Sequence, residues 1–211
     1  RDVRQILNIK DLRQFQHFMK LCAGRVGQLL NMHSLGAEVG VSSHTIKSWM
    51  NVLEASFIIN ILPPYHQNIG KRLTKSQKIY FCDTGLLCYL LDITDPLQIE
   101  RDPLRGSIFE NMVVMDLIKQ GQNRGKERVL FFYRDSNGNE LDLLFKEGST
   151  FYAFEIKISS TFHKSFLKGL NYFHSLLDAL EVKKTLIYSG KEHKGGNTSI
   201  LNYKDYFLSI S

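Results

Sequence analysis

The sequence has no apolar run that approaches the roughly 18 residues of a membrane-spanning helix, and no signal-peptide pattern. Cysteine is scarce as well: Cys22, Cys82 and Cys88 lie in apolar surroundings without a CxxC spacing. An odd, scattered set argues against a disulfide framework and against a zinc site. It favours small buried side chains in a reducing compartment, so we expect a cytoplasmic protein that has no membrane partner.

Repeats, low-complexity tracts and the phosphate-loop pattern G-x-x-x-x-G-K-[ST] are also absent, so we expect this chain by itself to bind no ATP. Its 211 residues, 43% of them hydrophobic, are enough for one large domain or two small ones with a real core. A net charge of +6 and a pI near 9.2 suit an anionic partner such as nucleic acid. The chain begins at Arg1 rather than at methionine, and we therefore expect a fragment of a longer protein.

The first third of the chain favours helices. Residues 11–32 carry apolar side chains at spacings of three and four, with a second short helix predicted from Gln28. A helix-turn-helix is predicted next, because Gly36 permits close helix crossing, Gly40 makes a sharp turn and Ser42 is placed to cap the second helix. The inner stripe of that second helix is predicted to be Ile46, Trp49, Met50 and Leu53.

A pair of strands is predicted after the helix-turn-helix, over residues 57–62 and 78–82, which together indicate a winged helix. The wing, residues 65–78, carries no acid, and its cations are Lys71, Arg72, Lys75 and Lys78. The groove-facing candidates on the second helix are Ser43, His44, Lys47 and Asn51. These residues predict contacts with nucleic-acid phosphates. The alternative is a module that packs only against protein, with its lysines solvated.

A helix and then a candidate linker are predicted after this module. Asp83 is predicted to cap the helix that follows it, by accepting hydrogen bonds from free amides. Residues 92–105 contain two of the four prolines and many charges, and predict a linker. We therefore divide the chain into a helical segment with a winged helix-turn-helix, residues 1–95, and a second domain, residues 96–211.

The second domain is predicted to contain helix 107–120, strands 129–134, 140–145 and 151–157, helix 162–178 and strand 184–188. Because side chains alternate along a strand, Glu155 and Lys157 share one face, and Asp142 is predicted opposite Leu141 and Leu143. Two acids and a lysine among core residues are costly to bury unpaired, and a divalent cation would remove that cost. The alternative is a solvent-facing hairpin with an ordinary Glu–Lys pair.

Two further candidates lie on the helices. Glu110 shares a helix face with Val113, Val114 and Leu117, so its carboxylate is predicted to point along a core-facing surface. The alternative for Glu110 is a rim glutamate paired with a lysine. Lys164 and Lys168, one turn apart on the later helix, are candidates for holding a nucleic-acid backbone. Their alternative is an ordinary solvated helix face.

The second domain resembles the PD-(D/E)XK nuclease superfamily. The resemblance rests on the element order α-β-β-β-α-β, with Glu110 on a helix, Asp142 on a strand and Glu155-x-Lys157 on the next strand. The resemblance implies an α+β or α/β restriction-endonuclease-like domain behind the winged helix. It implies that Asp142 and Glu155 bind Mg²⁺ or Mn²⁺, with Glu110 as a further or water-mediated ligand. It also implies that Lys157 orients the attacking water or stabilises developing charge.

The chain as far as about residue 190 also resembles the C-terminal half of a large group of prokaryotic AAA+ type ATP-binding proteins, whose C-terminal domain has no assigned function. The matching segments are Leu29-Leu30-Asn31, Gly40-Val41-Ser42, Pro64-Tyr65, Lys78-Ile79-Tyr80-Phe81, Asp83-Thr84-Gly85-Leu86, Gly106-x-x-x-Glu110, Glu140-Leu141-Asp142 and Phe154-Glu155-Ile156-Lys157. This resemblance implies an ATPase domain in cis, ATP binding through that domain alone, and a homo-oligomer of the kind that AAA+ relatives form. Two rivals stay open: a catalytically silent nuclease-fold module that binds DNA or a protein partner, and a DNA-binding regulator built on the winged helix.

Overall fold

Two sheets of unequal size, one of two strands and one of six, organise the computed structural model, which describes residues 12–66, 74–125, 128–177 and 180–209. Contacts group the chain into two compact units, unit 1 within Arg1–Ile61 and Ser76–Asn111, and unit 2 within Leu62–Lys75 and Met112–Ser211. This division differs from the predicted one after residue 95. Across the described ranges, no helix combines the length and the apolar character needed to cross a membrane.

Unit 1 is mainly helical, and its helices begin at polar caps. Asn31 accepts hydrogen bonds from the amides of His33 and Ser34, and Asp83 accepts one from the amide of Leu86, as predicted for Asp83. The elements are α1 (Leu12–Ala23), α2 (Met32–Val39), α3 (Ser43–Ala55), β1 (Ile59–Leu62), β2 (Lys78–Phe81), α4 (Thr84–Leu90), α5 (Pro96–Arg101) and the start of α6 (Arg105–Asn123).

The helix, turn and helix predicted around Gly40 are present. Gly40 has a φ of +81°, a left-handed conformation that ends α2 and suits glycine. A Cβ on Gly36 would lie 2.7 Å from the carbonyl oxygen of Val41, so only glycine allows this close approach. Ser42 caps α3 by accepting a hydrogen bond of 3.0 Å from the amide of Thr45. The buried residues of α3 are the predicted Ile46, Trp49, Met50 and Leu53.

Residues 28–31 form no helix, so the prediction of a short helix from Gln28 is wrong. The amide of Gly27 donates to the carbonyl oxygen of Ile79 at 2.9 Å. The amide of Leu30 donates to the carbonyl oxygen of Gln77 at 2.8 Å. Gly27 has a φ of +70°, which ends the preceding helical turn. The segment therefore lies along β2, where Leu29 and Lys78 form an isolated β-bridge.

The predicted linker is partly wrong, because it contains the helix α5. Asp95 accepts a hydrogen bond from the amide of Leu97, and the side chain of Gln98 accepts one from the amide of Asp95. Pro96 stands at the first helical position, where its missing amide hydrogen is harmless. The sequence Asp95-x-x-Gln98 has the spacing of this reciprocal cap, which is known as a capping box.

Unit 2 contains the six-stranded sheet, with strand order β3-β4-β5-β6-β8-β7. Strands β3, β4 and β5 run antiparallel, and β5, β6 and β8 run parallel. From α6 to β6 the elements follow the predicted order of helix, three strands, helix and strand. They are β3 (Phe131–Arg134), β4 (Glu140–Glu147), β5 (Thr150–Lys157), a 3-10 turn (Lys164–Leu167), α7 (Lys168–Ser175), β6 (Val182–Tyr188), β7 (His193–Gly195), β8 (Thr198–Asn202) and α8 (Tyr203–Ser209).

Tyr65, predicted to begin the wing, lies in the aromatic core of unit 2. Its amide donates to the carbonyl oxygen of Phe132 at 2.7 Å. Its ring meets those of Phe151 and Phe173 edge to face, with centroids 5.6 and 6.3 Å apart. The described start of the predicted wing is therefore paired with β3 and is not a free hairpin arm.

A bulge interrupts β4 beside Asp142. Phe131 pairs with Leu144 and Tyr133 with Leu141, so two residue steps on β3 span three on β4. Leu141 and Leu144 both belong to the core of unit 2, although strict alternation would put them on opposite faces. Alternation alone therefore does not set the direction of Asp142. Bulges of this kind often re-aim a side chain beside a functional site.

Asp135 holds the turn between β3 and β4. One carboxylate oxygen accepts hydrogen bonds from the amides of Asn137 and Asn139, and the other accepts them from the Asn139 side chain and the Tyr172 hydroxyl. Burial raises the pKa of Asp135, but these hydrogen bonds outweigh burial and lower the pKa to about 2.

We expect Asp135→Asn to destabilise unit 2 at pH 7 by about 1.5–3 kcal/mol, because the new amide group would face two donors. The native pKa is depressed below 3.8, so the charged form stabilises the fold above that value. This stabilisation is lost as the pH falls from about 4 towards about 2. Hydrogen exchange of the β4 amides, compared between the wild type and the variant at pH 7 and pH 3, measures the effect. An equal difference in stability between wild type and variant at pH 7 and pH 3 would contradict the expected loss of stabilisation at low pH.

Candidate functional site

Two buried carboxylates meet across the β4–β5 hairpin. The strand register pairs Leu143 with Phe154, and Asp142 and Glu155 are the neighbours of these two residues on their strands. The two strands are adjacent because residues 147–150 form a tight turn with Gly148 at a φ of +60°. Asp142 is 6% exposed and Glu155 7% exposed. Such burial is rare for acids unless they are paired.

Lys157 supplies the pairing charge. Its Nζ lies 2.7 Å from Oε1 of Glu155 and 3.1 Å from Oδ2 of Asp142. The backbone amide of Ile156 donates a further hydrogen bond of 2.8 Å to Oδ2 of Asp142. The Lys157 side chain is 34% exposed, so one end of the cluster reaches solvent. Two carboxylates therefore share one ammonium group.

The ammonium group of Lys157 is held in its charged form. Burial acts to lower the pKa of Lys157. The charges of Asp142 and Glu155, and their hydrogen bonds to the ammonium group, raise this pKa by more than burial lowers it. The pKa of Lys157 therefore lies above its ordinary value. With both acids ionised, the cluster carries one negative charge in excess, which favours a further cation.

Gly169 lets α7 approach the two strands closely. A Cβ at this position would overlap the carbonyl oxygen of Glu140 and would lie 2.7 Å from Oε2 of Glu155. Glycine is unfavourable within helices, and here the close approach explains it. The second residue of α7 therefore forms one wall of the acid–lysine cluster, by which we mean Asp142, Glu155 and Lys157.

We expect Gly169→Ala to destabilise the protein by about 1–3 kcal/mol, because the added methyl group meets backbone that cannot yield easily. Gly106→Ala is the matched control. Gly106 is likewise the second residue of its helix, and a Cβ there would meet nothing within 4 Å. The control should be neutral, or more stable by up to about 1 kcal/mol. Urea unfolding followed by far-ultraviolet circular dichroism checks both, and equal midpoints for the two variants would contradict the expectation.

Glu110 has partners of its own within unit 1. Its Oε1 accepts a hydrogen bond of 2.6 Å from the hydroxyl of Tyr80 and lies 3.2 Å from Nζ of Lys78. Lys78 is only 2% exposed, so its prediction as a phosphate-facing wing residue is wrong. This ion pair matches the alternative stated for Glu110, a glutamate paired with a lysine. Sequence reasoning could not identify the partner, because Lys78 is 32 residues away.

The structure brings together two of the three acids that are predicted to bind a metal ion. Within the ranges that the structure describes, no three His, Cys, Asp or Glu side chains lie close enough to hold a metal ion together. Asp142 and Glu155 come together in unit 2, whereas Glu110 belongs to unit 1. The pair still fits Mg²⁺ or Mn²⁺ in its donor chemistry, because Mg²⁺ is usually bound through one or two carboxylates, with waters and substrate phosphates as its other ligands. Glu110 as a ligand stays a prediction.

The predicted nucleic-acid contacts are mostly exposed where they are described. On α3, His44, Lys47 and Asn51 are exposed and Ser43 is half-buried. Lys164 begins the 3-10 turn and Lys168 begins α7, and both are exposed, as is Lys75. Lys71 and Arg72 lie outside the described residues.

Fold and site together define a mixed α and β protein with a buried acid–lysine cluster on its larger sheet. Residues 1–97 match the family model of a domain of unknown function, DUF8612. Residues 105–206 match that of a second domain of unknown function, DUF4143.

Two curated relatives extend this finding. The chain is 33% identical over 168 residues to the uncharacterized protein Rv2008c of Mycobacterium tuberculosis and to the uncharacterized protein Mb2031c of Mycobacterium bovis. Each alignment covers 80% of this chain and 36% of the relative, so the chain spans about a third of the relatives' length. No solved structure matches the chain significantly.

Proposed function

We propose that unit 2 is a metal-dependent nuclease of the PD-(D/E)XK type that hydrolyses phosphodiester bonds of nucleic acid. The single observation that carries the proposal is the buried pair of Asp142 and Glu155, held beside Lys157 on adjacent strands. The order of elements from α6 to β6 supports it. We further propose that the chain is the C-terminal part of an AAA+ type ATP-binding protein. Relatives that are longer than this chain, with the aligned part covering only 36% of their length, and the common occurrence of DUF4143 in AAA-ATPase associated proteins support that part.

The roles in catalysis follow from the contacts of the cluster. A divalent cation would be held by Asp142 and Glu155, and when bound it lowers the pKa of a water and neutralises phosphate charge. The amide of Ile156 fixes the Asp142 carboxylate, and Gly169 keeps α7 against Glu155. Lys157 places an ammonium group beside the acids, where negative charge develops on the attacked phosphate.

The nucleic-acid backbone would approach from the start of α7. Lys168 precedes Gly169, which lies against Glu155, and Lys164 is one turn earlier. Both are exposed cations, which contact phosphates as point charges. Their neutralisation of phosphates would make binding dependent on salt.

Cleavage assays test the proposal directly. The chain is incubated with single- and double-stranded DNA and RNA, in Mg²⁺, in Mn²⁺ and with EDTA. We expect metal-dependent cleavage of at least one of these substrates and none with EDTA. Intact substrates in every combination of metal and nucleic acid would contradict the proposed nuclease activity.

A second candidate function, DNA binding by unit 1, rests on a separate observation. The helix-turn-helix of α2 and α3 is followed in the chain by β1 and β2, and Gly27 and Leu29 pair with β2. This supports a winged helix whose exposed His44 and Lys47 would face the DNA. Salt-dependent DNA binding that persists in Glu155→Ala and Lys157→Ala, without cleavage, would favour this module as the whole function.

A further inference from the structure

The ammonium group of Lys157 lies between the two carboxylates that the proposed metal ion would use. We propose that Lys157 is an internal cation that competes with the metal ion, so that metal occupancy requires its side chain to leave Asp142 and Glu155. This inference deepens the proposed function and rests on it. The regulated event is metal occupancy of the acid–lysine cluster, and the regulator is a residue of the cluster itself.

The distances make the competition direct. Nζ of Lys157 lies 2.7 Å from Oε1 of Glu155 and 3.1 Å from Oδ2 of Asp142, both within hydrogen-bonding distance. A bound Mg²⁺ would take the same oxygens at about 2.0–2.1 Å. An oxygen engaged by both cations would bring their positive charges within a few ångströms of each other, which is strongly unfavourable in a buried site. Ammonium group and metal ion therefore exclude one another at these oxygens.

The acids are held in place by other contacts, so only the lysine has to move. Oδ2 of Asp142 keeps its 2.8 Å hydrogen bond from the amide of Ile156. The backbone at Gly169 confines Glu155 on the α7 side. The Lys157 side chain is 34% exposed and has a flexible four-carbon stem, so it has a path towards solvent.

The displaced ammonium group has a natural destination in the substrate. A phosphate bound beside the metal ion would offer Lys157 a new anion in place of the two carboxylates. Metal and phosphate binding would then favour the same position of Lys157, and each would strengthen the other by the same factor. Lys157 thereby couples occupancy by metal to the presence of nucleic acid.

Binding of Mn²⁺ alone tests the competition. Free Mn²⁺ is counted by electron paramagnetic resonance in titrations of the wild type, Lys157→Gln and the charge-conserving control Lys157→Arg. Removing the charge should tighten Mn²⁺ binding by about tenfold, the size of one charge-assisted contact. Lys157→Arg should stay within about threefold of the wild type. Binding by Lys157→Gln that is no tighter than wild-type binding overturns the inference.

A second measurement uses the wild type alone and does not depend on a variant folding. Lysines are acylated with and without Mn²⁺, and the extent of acylation at each lysine is measured by peptide mass spectrometry. Labelling of Lys157 should rise at saturating Mn²⁺, while the exposed Lys164 serves as the unchanged internal reference. Unchanged labelling of Lys157 overturns the inference. If cleavage persists alongside that result, the inference alone fails; if neither Mn²⁺ binding nor cleavage occurs, the proposed function fails with it.

Discussion

Glu155→Gln and Asp142→Asn are each expected to lower metal-dependent cleavage by about 10²–10³-fold, because a metal ligand contributes several kcal/mol to transition-state stabilisation and each 1.36 kcal/mol is a factor of ten. Both substitutions keep the size of the side chain and remove its charge. Initial rates of oligonucleotide cleavage at saturating Mn²⁺ measure the loss.

Glu147→Gln provides the matched control for these variants. Glu147 lies at the end of β4, the strand that also carries Asp142. It is exposed, and its carboxylate pairs with Arg128 at 2.7 Å. Exposed pairs of this kind contribute about 0–1 kcal/mol, so cleavage by the control should stay near the wild-type rate. Wild-type cleavage by Glu155→Gln, or an equal loss in Glu147→Gln, would remove the acid pair from the mechanism.

The second large effect is expected in unit 1. Lys78→Ala should destabilise this unit by about 3–5 kcal/mol, because it removes the buried ammonium group of an ion pair and leaves the Glu110 carboxylate without that charge partner. Trp49, the single tryptophan of the chain, lies in unit 1 against Phe15 and Phe18. Its fluorescence during urea unfolding therefore reports the stability of unit 1.

The exposed neighbour Lys75 supplies the control for Lys78. Lys75→Ala should change stability by no more than about 0.5 kcal/mol, as surface substitutions usually do. A double-mutant cycle with Glu110→Gln isolates the coupling between Lys78 and Glu110. If Lys78→Ala unfolds at the same urea concentration as Lys75→Ala, the buried pair does not stabilise unit 1.

Local signals in the sequence were sufficient for the elements that position the cluster. Gly40 and Ser42 define the turn and cap of the helix-turn-helix. The short turn after β4 makes β5 its neighbour, so Asp142 and Glu155 are brought together by local chain geometry. These features depend on a few adjacent residues, which is why the pattern predicts them.

Features that depend on distant partners could not be obtained in this way. Glu110 appears as a core-facing acid, but nothing near it in the chain identifies Lys78 and Tyr80 as its partners. Tyr65 appears as part of a wing, yet it pairs with β3 far along the chain. A glycine within the predicted helix 162–178 was a usable signal that was missed, because its cost in a helix indicates close approach at Gly169.

Diffraction from crystals grown with Mn²⁺, recorded at an energy where manganese scatters anomalously, tests the central claim most directly. We expect an anomalous peak within about 2.5 Å of oxygens from both Asp142 and Glu155, with Nζ of Lys157 displaced from them. A map that shows no peak at these two side chains, with Lys157 still bridging them at saturating Mn²⁺, would contradict it.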